Sequence, residues 1–158
     1  MVKRFDEETL SEIRQKPLLG LIRSIGGDAD KWFSFASTPL CETFRLTMNH
    51  ANTDWARSRI EKMGGVRISW IRDFEAWQMP WPRGEAPDDE SKKMIQLLHD
   101  CGLITRQEAV SMLPPILLAP KGGDLVIDTC AAPGSKATQL AESSPDSLII
   151  ANEPHSGR

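Results

Sequence analysis

Asp128-Thr129-Cys130-Ala131-Ala132-Pro133-Gly134-Ser135-Lys136 is a run of mostly small residues between the apolar stretch Leu125-Val126-Ile127 and a helix-like stretch ending near Ser143. A strand, a tight turn and a helix start in that order bring backbone N–H groups and the positive end of a helix dipole up to an anionic ligand group. Small side chains let the backbone approach the ligand, which is what the first βα turn of nucleotide-cofactor sites requires. Only one of the recurring small positions, Gly134, is glycine, and the P-loop pattern G-x-x-x-x-G-K-[ST] is absent. Glu153 lies about 20 residues further on, after the apolar run Leu148-Ile149-Ile150-Ala151. A carboxylate there only accepts hydrogen bonds, so the two hydroxyls of a ribose complement it. Lys136, in the first helical turn, puts a positive charge where a ligand carboxylate would lie. Taken alone, the same residues also fit an ordinary βα turn followed by a surface glutamate.

These residues require a β-α-β unit to hold them: a strand over 125–128, a helix over about 135–143, a turn at Ser144-Pro145-Asp146 and a strand over 148–151. Upstream, residues 4–25 read as helix interrupted by Pro17, which can open a second helix, with Leu18, Leu21, Ile22 and Ile25 at helical spacing. Phe44 to Asn49 alternates like a half-buried strand. A helix capped at Asn52 or Thr53 follows, with Ala56, Ile60 and Met63 on one face and Gly64-Gly65 at its end. Val66 to Trp70 alternates again, which suggests a small α+β unit of the split βαβ type. Residues 75–89 carry three prolines and read as a connector. Asp88 or Asp89 can cap a helix through His99, with Met94, Leu97, Leu98 and Cys101 on one face. Thr105-Arg106-Gln107-Glu108 has a capping-box pattern that predicts another helix start, running to Pro114-Pro115. The expected division is an α+β domain over 1–85, a helical connecting segment over 86–121, and a βαβ unit over 122–158.

The composition is 40% hydrophobic and 26% charged with net charge −3 in 158 residues, in the range of globular proteins. The N-terminus lacks the apolar core of a secretory signal, and no apolar run approaches the roughly 18 residues that span a bilayer. Cys41, Cys101 and Cys130 form neither a CxxC pair nor a disulfide framework, so a reducing compartment and no metal site are expected. Arg45, Arg57, Arg59, Lys62, Arg67, Arg72 and Arg83, opposed by four acids and interleaved with Trp55, Trp70, Trp77 and Trp81, make this stretch basic within an acidic chain. Such cations neutralise phosphates and such rings stack unpaired bases, so RNA contact is one reading. Tryptophans packed in a core beneath a solvated arginine face are the other.

Asp-x-Cys-Ala-Ala-Pro-Gly-Ser-Lys with the following Thr138-Gln139-Leu140 closely resembles the cofactor motif of the Sun-type RNA (cytosine-5) methyltransferases. Ile104 through Leu118 resembles the segment before that family's first sheet strand. Ala76-Trp77-Gln78 and Pro39-Leu40…Thr43-Phe44-Arg45 resemble its eukaryotic tRNA-modifying branch, so the similarity covers roughly residues 30–158. The resemblance implies an α/β fold: the incomplete start of a Rossmann-like class I methyltransferase domain behind a small α+β domain. It implies S-adenosylmethionine as cofactor, RNA (tRNA in that branch) as partner, and no membrane. Cys130, Ala131, Ala132, Pro133, Gly134, Ser135 and Lys136 would wrap the methionine end of the cofactor, and Glu153 would hold the ribose. Ala137 replaces the family's usual Thr or Ser, and Glu153-Pro154 its commoner Asp. In the family a cysteine thiolate adds to cytosine C6, so that C5 attacks the sulfonium methyl, and a second cysteine assists product release. Those Pro-Cys and Thr-Cys-Ser motifs do not occur in these 158 residues. Cys130 reads as a small loop residue, Cys101 as core, Cys41 as lacking a base, and His50, His99 and His155 as surface groups, so no catalytic residue is expected. The chain thus reads as an inactive N-terminal fragment of a longer nuclear or cytoplasmic enzyme, the nucleus being favoured by the resemblance. The alternatives are a non-catalytic RNA- or cofactor-binding module and another nucleotide-dependent enzyme with a similar βαβ start.

Overall fold

The structure, a computed structural model, describes residues 6–15 and 17–154, without the side chain of Leu10. Three short helices come first: α1 (Glu7–Arg14), α2 (Pro17–Ser24) and α3 (Ala29–Ala36). Asp6 caps α1 by accepting the Thr9 N–H, which holds its carboxyl below the usual aspartate range. Leu19 of α2 packs with Ala29 and Phe33 of α3. Leu18, Leu21 and Ile25, expected on the buried face, are exposed, and Leu19 takes that place.

A four-stranded antiparallel sheet follows, built from β1 (Cys41–Leu46), β2 (Val66–Arg67), β3 (Ala76–Pro82) and β4 (Ile104–Arg106) in the order β2-β3-β1-β4. Helix α4 (Thr53–Lys62) joins β1 to β2, and α5 (Asp89–Asp100) joins β3 to β4. Phe44, Leu46, Ala56, Ile60, Trp77, Met79, Leu98 and Ile104 form the main core between this sheet and the two helices. Gly64 ends α4 as expected, at φ 83°, in the left-handed region that favours glycine.

Four expectations fail here. Residues 76–82 are an internal strand rather than connector; the prolines are tolerated because β1 bulges between Cys41 and Thr43, opposite Gln78–Pro82, and β2 pairs only as far as Gln78. Thr105 caps no helix, because Ile104–Arg106 pairs with Phe44–Leu46 as an edge strand. The stretch 86–121 is therefore more than a helical connector: α5 and β4 belong to the core of this sheet. Cys101, expected in the core, is exposed, and Ile95 with Leu98 forms the buried face of α5.

Asp88 accepts the Ser91 N–H at 2.7 Å as the N-cap of α5. Asp88→Ala should cost about 1 kcal/mol, read as a lower urea midpoint at unchanged slope.

A 3₁₀ turn (Val110–Met112) and α6 (Leu113–Leu118) lead to the β-α-β unit: β5 (Leu125–Asp128), α7 (Ser135–Ser143) and β6 (Leu148–Ala151). Strands β5 and β6 pair in parallel, Leu125 beside Leu148 through Asp128 beside Ala151. The element positions agree with those read from the sequence. Leu125, Ile127, Leu148 and Ile150 are exposed. In this register they share one face of the two-stranded sheet, while α7 packs against β6.

Candidate cofactor site

The turn between β5 and α7 is tied to the end of β6. The Ala131 N–H donates to the Asn152 carbonyl at 3.0 Å, and the Asn152 N–H donates to the Asp128 carbonyl at 2.8 Å. The Asp128 carboxylate accepts the Cys130 N–H at 3.2 Å. Glu153 folds back onto the turn, where its Oε2 accepts the Ala132 N–H at 3.1 Å. The two halves of the site separated in sequence, 130–136 and Glu153, are therefore in contact.

Gly134 caps α7 at φ 101°, ψ −4°, in the left-handed region, where an L side chain is strained. Nothing lies within 4 Å of where its Cβ would be, so the backbone here opens onto free space that a ligand can enter. Ser135, Lys136 and Ala137 then begin the helix, with N–H groups that α-helical geometry leaves without intrahelical partners. Lys136 is exposed beside the turn, and Cys130 and Pro133 are exposed on it. Ala137, the departure from the resembled motif, is buried and faces packing rather than the open turn. His155 lies outside the described residues.

What the sequence did not disclose is how this turn is braced from behind. Arg45 of β1, expected on a half-buried strand and counted in the basic patch, is 2% exposed. Its Nε donates to Gln107 Oε1 at 2.7 Å, Nη1 bonds the Glu142 carboxylate, and Nη2 reaches the Ser135 carbonyl (3.3 Å) and Thr138 Oγ1 (3.1 Å). Gln107 donates on to Gln139 (2.8 Å), and Gln139 to the Met112 carbonyl (2.9 Å). Burial pulls the Arg45 pKa down, and Glu142 pulls it back up. A buried guanidinium survives only when its donors are matched, as they are here. A signal was present: Ser135, Thr138, Gln139 and Glu142 have the spacing of one helix face, a polar stripe on a helix that also buries Ala137 and Leu140.

The basic patch is thinner than its composition suggests. Trp77 and Trp81 are buried, and Arg57 is held by Glu75 and Asp54, whose hydrogen bonds raise its pKa. Arg59 stacks on Trp55 at 5.4 Å. Lys62, Arg67, Arg72 and Arg83 remain exposed, with Trp55 and Trp70. Among the described residues no cluster of three or more His, Cys, Asp or Glu could hold a metal ion, and no helix is long and apolar enough to cross a membrane.

Residues 115–158, which hold this entire turn and Glu153, match the family described as 16S rRNA methyltransferase RsmB/F. The chain is 32% identical to a multisite-specific tRNA:(cytosine-C(5))-methyltransferase of Saccharomyces cerevisiae, over 82% of its own length and 23% of the relative's. It is 31% identical to a tRNA (cytosine(49)-C(5))-methyltransferase of Pyrococcus abyssi, over 80% of this chain and 39% of that one. It thus spans well under half the length of either relative. A solved methyltransferase homologue from Pyrococcus horikoshii superposes with a TM-score of 0.57 at 30% identity, covering 78% of this chain and 38% of its own. The braced small-residue turn falls within the family match, and the sheet ahead of it falls within the longer alignments: over 115–158 the chain matches the RsmB/F, Sun-type, methyltransferase family, and over most of its length it is similar to tRNA cytosine-C5 methyltransferases.

Proposed function

We propose that this chain supplies the S-adenosylmethionine half-site of an RNA (cytosine-5) methyltransferase acting on tRNA. The observation that carries the reading is the contact of Glu153 with the Ala132 N–H beside the left-handed Gly134, in a chain whose relatives are named tRNA cytosine-C5 methyltransferases. The residues fit the group. Cys130 to Lys136 would hold the methionine end, with Lys136 and the first N–H groups of α7 toward its carboxylate. Glu153 would take the ribose hydroxyls. Once bound, the cofactor would supply an electrophilic methyl on sulfonium sulfur. The chain's own work is to bind and orient: the Gly134 turn keeps side chains out of the ligand's path, and Arg45 holds the helix from behind.

The β-α-β unit from residue 122 is, on this reading, the start of a Rossmann-like sheet. The exposed face of Leu125, Ile127, Leu148 and Ile150 supports this, because parallel sheets are normally covered on both faces. Lys62, Arg67 and Arg72 with Trp70 are the groups we assign to RNA on the preceding α+β unit, and the compartment is a reducing one, nuclear by family likeness. The nucleophile lies outside these 158 residues, since none of the three cysteines stands in a Pro-Cys or Thr-Cys-Ser motif. That same absence favours the second reading, a non-catalytic cofactor- or RNA-binding module.

Calorimetric titration of the chain with S-adenosylmethionine tests the cofactor reading. Binding is expected at one site, weakened roughly 10-fold in Glu153→Gln and less in Lys136→Ala. Unchanged affinity in both variants would overturn the assignment. Incubated with tRNA and labelled cofactor, the 158-residue chain should form no 5-methylcytosine; turnover would place the nucleophile among Cys41, Cys101 and Cys130.

A further inference from the structure

The geometry points to Arg45 as a positioning residue that sets cofactor affinity from the far side of α7, an inference that rests on the cofactor reading above. Arg45 belongs to β1, an internal strand of the antiparallel sheet, and lies roughly 90 residues upstream of the turn it braces. Its guanidinium touches the turn by two routes. One Nη2 bond goes to the carbonyl of Ser135, the first residue of α7. The other goes to the Thr138 hydroxyl, which donates to the carbonyl of Gly134 at 2.9 Å. The two carbonyls gripped in this way belong to the successive peptides 134–135 and 135–136, where the chain turns from its left-handed step into the helix. Their orientation fixes where the N–H groups on the opposite side of those peptides point. A peptide is planar, so a carbonyl held on one side aims its N–H on the other. Nε and Nη1, bonded to Gln107 and Glu142, hold the guanidinium plane while Nη2 does this. The Arg45 guanidinium also lies over the Phe74 ring, 5.9 Å from its centroid.

Lysine can keep the charge but not the fork, since an ammonium is a point donor on a flexible stem. It can pair with Glu142 or reach the α7 carbonyls, but not hold all four partners in one plane. The effect should fall on the end of the cofactor that the turn holds. S-adenosylmethionine carries the methionine carboxylate and amine; 5′-methylthioadenosine keeps the nucleoside and lacks them. Arg45→Lys is therefore expected to weaken S-adenosylmethionine about tenfold, the loss of one charge-assisted hydrogen bond's worth of alignment, while methylthioadenosine affinity stays within about twofold. In the ligand-free chain, amide exchange of Thr138 and Gln139 should quicken while amides of α5 keep their wild-type protection. Thr138→Val retains the β-branched shape and removes only the hydroxyl relay. It should move both readouts the same way by about threefold, and serves should Arg45→Lys not fold. Equal weakening of both ligands with faster exchange in α5 would reduce Arg45 to general stability. Wild-type affinities and exchange in both variants would refute the coupling. If the wild-type chain binds no S-adenosylmethionine, the cofactor reading fails, and the exchange measurement still decides whether Arg45 sets the turn.

Discussion

Phe44→Ala is expected to destabilise the chain by about 3–5 kcal/mol, the range for emptying a buried aromatic site. Phe44 is fully buried on an internal strand, paired across the sheet with Trp77 on one side and Arg106 on the other. Its ring belongs to the core that also includes Ala56, Ile60, Met79 and Leu98, so no single neighbour can move in to fill the gap. Close-packed interiors relax only partly around such a loss. For a domain of this size the loss corresponds to a melting point lower by about 10 °C. Leu97→Ala is the control: Leu97 sits on α5 but is largely exposed, and its loss should stay within about 0.5 kcal/mol. Because Phe44 precedes Arg45 on the same strand, the core and the brace of the cofactor turn are consecutive residues facing opposite sides of one sheet.

Gly134→Val should have the largest effect on cofactor binding. At φ 101° a β-branched residue is strained by about 1–3 kcal/mol, and the turn can escape only by leaving the conformation that aims the α7 N–H groups. If about 2 kcal/mol of that strain appears as reorganisation on binding, affinity falls roughly 30-fold. The added side chain would also occupy the open space over the turn. Gly123 provides the comparison, since it too has positive φ, 91°, in the turn before β5. Gly123→Val should lower stability by a similar amount and leave cofactor affinity unchanged. Equal affinity losses in the two variants would mean that the effect is unfolding rather than turn geometry.

The part of the molecule legible in the sequence is the part whose signals are local. The positions of β5, α7 and β6 follow from two short apolar runs, a small-residue turn and one helical segment, all within 30 residues of each other, and Glu153 follows from its distance along that unit. Strand β3 was hidden because Pro80 and Pro82 speak against an internal strand; the bulge in β1 and the short reach of β2, properties of the partners, make room for them. Thr105 mimicked a capping box because local hydrogen-bonding types cannot reveal that Ile104–Arg106 has β1 to pair with. Arg45 was misplaced for the same reason. An arginine at an alternating position reads as solvent-facing unless Gln107, Ser135, Thr138 and Glu142 are known to converge on it, from 62 to 97 residues away. The polar stripe on α7 carried half of that information, since a stripe of hydrogen-bonding residues beside an apolar one on a nine-residue helix marks a buried polar partner.

A cleft of about 500 Å³ lies behind α7, lined by Met48, Asn49, Phe74, Ile116, Gln139 and Ser143 among others. This competing location makes one measurement decisive: mapping backbone amide shifts of the ¹⁵N-labelled chain during titration with S-adenosylmethionine. The cofactor assignment predicts saturable shifts concentrated at Cys130, Ala131, Ala132, Gly134 to Ala137, Asn152 and Glu153. Shifts concentrated instead at Met48, Asn49, Ile116 and Ser143, with those of the turn unmoved, would contradict it.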